Sequence, residues 1–152
     1  NVDYEHRGFT TGKMLNDAID KLKYKKTSDK DLLLNYSVDE IDLSKMDDNV
    51  VANNVNIVYS NSTATSYVYD SENKVYKRYV NDVEHVDHET KEQYTVKNII
   101  TYQVSNHTLT GDVKGRQDID NLGSGTGYYI SEGYAVPIKW EKKYQLQKLQ
   151  KF

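Results

Sequence analysis

Glu84-His85-Val86-Asp87-His88-Glu89 is the densest run of side chains in this sequence that could move a proton or hold a metal. On an extended chain alternate residues share a face, so His85 and Asp87 point one way while Val86 and His88 point the other. A zinc site needs at least three converging ligands, and the nearest further histidine, His107, lies well downstream. No metal is therefore expected, no catalytic residue is assigned, and His85 and Asp87 are read as hydrogen-bonding a turn.

Gly123-Ser124-Gly125-Thr126-Gly127 has the small residues of a phosphate cradle, in which backbone N–H groups approach an anion ahead of a helix. The next residues, Tyr128-Tyr129-Ile130, are a β-forming run, and no Gly-Lys-Ser/Thr ending is present. Gly123, Ser124 and Gly125 are therefore read as a tight turn that uses the positive φ open to glycine. Ser124, His85 and Asp87 supply the residue types of a serine hydrolase, but the segment around Ser124 lacks the Gly-x-Ser-x-Gly spacing of a nucleophile elbow. The 14 tyrosines, several alternating as in Tyr67 and Tyr69, can stack on sugar rings or anchor a protein partner. They pack equally well on a pleated sheet.

These groups must be positioned by a chain that changes period partway along. Thr10-Thr11 followed by Leu15, Ala18, Ile19 and Leu22 predicts an N-capped helix over residues 12–25, with one apolar stripe facing a core and an Asp17 to Lys21 pair outside. Residues 27–48 read as a charged connector with short ordered pieces, including a patch at Leu32-Leu33-Leu34. From Val51 the spacing becomes two, with Val51, Asn53, Val55, Ile57 and Tyr59 on one face of a strand. Tyrosine-rich runs at 66–70 and 75–80 flank Ser71-Glu72-Asn73 as a hairpin, and Asn81-Asp82 makes another turn. Further strands are expected at 97–104, 108–113, 116–119, 127–131 and 134–140. Pro137 argues for an edge or a bulge in the last of them, and residues 142–152 form a Gln/Lys-rich tail. The fold class expected is α+β, mainly β: an N-terminal helix (residues 1–48, with the connector, as the end of a larger N-terminal domain) followed by an antiparallel sheet or sandwich-like module over residues 49–152.

A chain of 152 residues is long enough to bury a core without staples. Its formal charge of -3, with 20 basic and 23 acidic residues interspersed, supplies no cationic field for phosphate backbones, so nucleic acid is not an expected partner. The absence of cysteine removes disulfides, thiolate catalysis and Cys-ligated metals, and no cofactor is expected. Basic residues are mostly Lys, and Asn and Tyr are frequent, the bias of an AT-rich bacterial genome.

Taken in order, Tyr69-Asp70, Tyr76-Lys77-Arg78, His85-Val86-Asp87, Asn98-Ile99-Ile100, Gly123-Ser124-Gly125, Gly133 and Trp140-Glu141-Lys142 resemble the C-terminal half of the YerB-like family. Those proteins are classed as lipoproteins of Gram-positive bacteria and carry a domain of unknown function. The resemblance spans residues 51–143, and upstream His6 with Phe9-Thr10-Thr11 is similar to the end of the family's N-terminal half, with Glu5 and Arg7 in place of its Pro and Asn. It implies an extracytoplasmic protein held at the cell membrane by a lipid anchor that lies outside this chain. It also makes Arg78, His85, Asp87 and Asn98 the candidates for a shared polar site.

The function expected is a non-catalytic binding or structural module whose ligand is a protein or a cell-envelope component. The alternative is a hydrolase acting on an envelope substrate through His85 and Asp87. Convergence of Arg78, His85 and Asp87 in an open cleft would favour binding or catalysis, whereas mutual satisfaction would favour a structural network.

Overall fold

The computed structural model describes residues 8–27 and 36–143. His6, the Leu32-Leu33-Leu34 patch and most of the C-terminal tail fall outside them. The chain divides into two compact units, Asn1–Asp39 and Glu40–Phe152.

In the first unit, helix α1 spans Gly12–Leu22. The Thr11 hydroxyl accepts the Met14 N–H at 3.2 Å and so caps the first turn. Lys23 ends the helix in the left-handed region at φ 55, where its N–H returns to the carbonyls of Asp20 and Ile19. No residue of α1 is buried, and Leu15 and Leu22 of the expected apolar stripe are exposed. Asp17 pairs with Lys13 at 2.6 Å, one turn before it, rather than with Lys21, the partner one turn after it that spacing favours.

The second unit is built from antiparallel strands. They are β1 (Val50–Val51), β2 (Asn54–Ser60), β3 (Thr63–Asp70), β4 (Val75–Val80), β5 (Val83–Glu84), β6 (Thr95–Val96), β7 (Asn98–Tyr102), β8 (Ser105–Thr108), β9 (Gln117–Asp120), β10 (Gly123–Ser131) and β11 (Tyr134–Lys142). One sheet has the order β1-β11-β10-β7. A second runs β2-β3-β4-β5, with β6 also on β4, and β8 and β9 form a separate hairpin. The single strand expected from Val51 is therefore two: Val50–Val51 joins the first sheet, the chain breaks at Ala52-Asn53, and Asn54–Ser60 joins the second.

Two tight turns fix registers. Asn81-Asp82 joins Val80 to Val83 with φ values of 49 and 63, and Glu132-Gly133 joins Ser131 to Tyr134 with 49 and 82. Positive φ at both central residues is the type I′ geometry whose twist matches a hairpin. Pro137 lies in β11 beyond the two residues that β1 covers, where the missing N–H breaks no ladder on the outer side.

The core sits between the two sheets. Ile99, Ile130 and Ala135 stand abreast on β7, β10 and β11 and meet Tyr76, with Val55, Tyr67, Tyr69 and Val96 around them. Tyr76 is fully buried, its ring 5.0 Å from that of Tyr69. Its hydroxyl donates to the Ala52 carbonyl at 3.1 Å and accepts the Gly133 N–H at 2.9 Å, so this phenol joins β4 to the facing sheet. On that sheet's other side, the short 3-10 turn Leu43–Lys45 packs against β11 and buries Leu43.

Candidate functional site

After β5 the chain turns back over residues 87–92, with Val86 bridged to Gln93. The Asp87 carboxylate organises this turn. It accepts the N–H of Thr90 at 2.8 Å, the N–H of Glu89 at 3.0 Å and the Tyr94 hydroxyl at 2.9 Å. Those donors, Thr90 first and Tyr94 next, hold its carboxyl below the usual carboxylate range, and the same bond pushes the Tyr94 phenol up.

The His85 ring packs at a tilt against Tyr94, with ring centroids 4.7 Å apart, and its Nδ1 contacts the Arg78 guanidinium. A guanidinium can only donate, so Nδ1 is the acceptor and the ring hydrogen belongs on Nε2. The Arg78 carbonyl takes the Gln93 side-chain amide at 2.9 Å and the His85 N–H at 3.0 Å. Arg78, His85 and Asp87 are thus brought together through Tyr94, half-buried and tied to one another. Asn98 is not with them. It lies on β7 of the other sheet, where its Oδ1 accepts the hydroxyls of Tyr129 and Ser131, each at 2.9 Å. Among the described residues, no three His, Asp or Glu side chains are grouped as a metal would require.

The turn expected at Gly123, Ser124 and Gly125 is not a turn. All three lie in β10, opposite Lys142, Glu141 and Trp140. The reason is steric: the Trp140 indole crosses β10 over Gly125 and donates to the Gln103 carbonyl at the end of β7, at 3.2 Å. A Cβ on Gly125 would stand 2.6 Å from the indole nitrogen, and one on Gly127 would overlap the Thr101 carbonyl. These glycines permit close approach within a strand.

An open concavity of about 410 Å³ lies at this crossing, lined by Trp140 with Gln103, Ser105, Asp120, Ser124 and Thr126 among others. A second, of about 460 Å³, shares Gln103 and Thr126 with it and is walled by Tyr102 and Tyr128. Tyr102 and Trp140 stand 5.7 Å apart. The side chains of Gln103, Ser105, Ser124 and Thr126 make no hydrogen bond to the described residues. Sequence reasoning missed this group; the pairing of a glycine-rich strand with the chain's sole tryptophan was the available signal.

A third cluster surrounds the Glu132-Gly133 turn. Lys74 pairs with Glu40 at 2.9 Å and Glu132 at 3.6 Å, and the two carboxyl groups also meet each other. Sharing a proton with Glu40 pushes the Glu132 carboxyl up, while the bonds from Glu132 and Lys74 pull that of Glu40 down. Burial raises the adjacent Tyr69 phenol.

This strand order, register and motif series define the chain's class. It belongs to the family described as "Protein of unknown function (DUF3048) C-terminal domain", whose model matches residues 55–152. Among solved structures, it is similar to the crystal structure of YerB protein from Bacillus subtilis, with 24% identity and a TM-score of 0.66. The similarity covers 93% of this chain and 45% of that one, so the chain spans less than half of that protein's length. No curated protein matches.

Proposed function

We propose that this chain is a non-catalytic, extracytoplasmic binding module of a lipid-anchored protein, and that its ligand is a component of the cell envelope. The observation that carries the reading is the contrast between two polar groups. Around Asp87 the donors and acceptors are engaged in holding a turn, which supports a structural role for Arg78, His85 and Asp87. Where the end of β10 meets the β8–β9 hairpin, the amide of Gln103 and the hydroxyls of Ser105, Ser124 and Thr126 line an open concavity without hydrogen-bond partners among the described residues. A hydrolytic pair would need Asp87 to orient His85, but Asp87 bonds Tyr94 and the turn backbone instead. The membrane location is supported by the resemblance to Gram-positive lipoproteins.

Binding is tested by mixing the purified chain with the envelope fraction of a Gram-positive bacterium and sedimenting it. Depletion of the chain from the supernatant, reduced several-fold by Trp140→Ala, is expected; a supernatant that keeps all of the chain refutes the reading. Incorporation of labelled palmitate into the full gene product tests the anchor, and its absence would remove the membrane location.

A further inference from the structure

We infer that the outer edge of β7 joins the same edge of a second copy of this chain, so that the two copies share one continuous antiparallel sheet. β7 ends the order β1-β11-β10-β7, and among the described residues nothing pairs with its outer side. The bonds to β10 show which backbone groups are free. The Gln103 N–H donates to the Thr126 carbonyl at 3.0 Å, and the Thr101 carbonyl lies against Gly127. In an antiparallel ladder, residues that bond a given neighbour alternate with residues that do not. Ile99, Thr101 and Gln103 therefore direct their N–H and C=O groups to β10, and Asn98, Ile100 and Tyr102 direct theirs to the open side.

Proteins ordinarily guard such an edge with lysine, proline or a bulge. β7 has none of these: its pairing with β10 runs without a shift of register, and no Lys, Arg, Asp or Glu occurs from Asn98 to Gly111. The long edge strand of the other sheet, β2, is guarded by the shift between Val58 and Ser60, which a bulge produces. Ile100 and Tyr102 stand on the sheet face away from the core, 45% and 53% exposed, where a neighbouring strand would cover them. The absence of charge selects the occupant. A charged segment would find no opposite charge on β7, whereas a second copy brings a strand with none to repel. A two-fold axis at Ile100 sets each Ile100 against the other, each Asn98 against Tyr102 of the second copy, and each Lys97 against Gln103, so the lysines lie at opposite ends of the seam. Every outward N–H and C=O group of β7 then has a partner. The same patch serves both copies, so the contact closes at a dimer.

Sedimentation velocity over about a hundredfold range of concentration reads the association. The mass should rise from the 17.6 kDa of one chain toward twice that value. Ile100→Lys sets like charges against each other at the axis, and Ile100→Pro removes an outward N–H while leaving the β10 ladder whole; each should weaken the dimer about tenfold or more, with the circular dichroism of the chain unchanged. Val58→Lys, on the edge of β2, should leave the dimer intact. Amide exchange gives a second reading that needs no variant. The Ile100 and Tyr102 amides should be protected at high concentration and lose protection on dilution, while Gln103, bonded within the chain, keeps its own. A mass of one chain at every concentration, masses beyond two chains, or a dimer in which Ile100 and Tyr102 exchange freely overturns the pairing. So does a dimer that survives both Ile100 variants or that Val58→Lys dissociates.

Discussion

The phenol oxygen of Tyr76 lies 2.9 Å from the backbone nitrogen of Gly133, across the interface between the two sheets. Because Tyr76 is fully buried, Tyr76→Phe keeps the ring but strands the Gly133 N–H and removes the donor to Ala52. The expected loss is about 1–3 kcal/mol, the usual cost of an unsatisfied buried group. Tyr76→Ala adds a cavity and should cost about 3–5 kcal/mol. Urea unfolding of both variants checks the order; equal stability of Tyr76→Phe and the parent would show that the bridge contributes nothing.

Gly125→Ala and Gly127→Ala should differ in kind. At Gly125 the new methyl meets a side chain, so the Trp140 indole moves off the strand and its emission shifts toward the red as water reaches it. At Gly127 the methyl meets the β7 backbone, which cannot swing aside. That overpacking should cost about 1–3 kcal/mol or more, read as loss of amide-exchange protection in β7.

Acid should destabilise the fold through its turn carboxylates. Asp42 is lowered to about 2 by the Ser44 hydroxyl and Lys45, Asp70 is held well below its ordinary range by Lys77 and Asn73, and Asp87 and Asp112 are also lowered. A depressed folded value means that the stabilisation is fully present above the unfolded value near pH 4, and is lost as pH falls through the folded one. The melting temperature should therefore decline from about pH 4 down to about pH 2, with a shallower decline in Asp70→Asn. A flat profile would contradict the assigned bonds.

At the Lys74 cluster the two glutamates have opposite signs. The lowered Glu40 contributes stability that is lost toward acid, whereas the raised Glu132 contributes stability that is lost as pH rises through its folded value. The two offset in a melting curve, so the test is carboxyl NMR. Glu132 should titrate above the ordinary glutamate range, and Glu40→Gln should bring it down. An unchanged Glu132 titration in that variant would separate the two groups.

Asn81-Asp82 occupies a type I′ turn with both φ values positive. Asp82→Gly creates the Asn-Gly pair that this turn favours and should stabilise the protein by about 0.5–1 kcal/mol. Calorimetry decides the sign.

Much of this fold was legible where neighbours in sequence are neighbours in space. The β3–β4 hairpin and the Asn81-Asp82 turn arise from local turn chemistry, and Val55 and Ile57 alternate inward as spacing demands. The strand expected at 108–113 fails for a local reason that composition hid. Asp112 accepts the Arg116 backbone and guanidinium and so closes a loop there, leaving Val113 fully exposed, while the strand forms earlier at Ser105–Thr108. Gly123-Ser124-Gly125 misleads for a non-local reason, since glycine marks turns and close contacts alike and only the position of Trp140 distinguishes them. The same limit applies to Asn98, which ordered motifs grouped with Arg78 although register places it on the other sheet. The Trp140 concavity joins residues from β10, β11 and the link after β7 with the β8–β9 hairpin, a juxtaposition set by strand order and invisible to spacing.

One run of backbone, Val50–Val51 and then Asn54–Ser60, is hydrogen-bonded first into one sheet and then into the other. Tension on either sheet is therefore transmitted to its neighbour through covalent bonds as well as through side-chain packing. Pulled by its ends, such a module should rupture in a single event, because neither sheet can peel away while the other keeps its share of the strand.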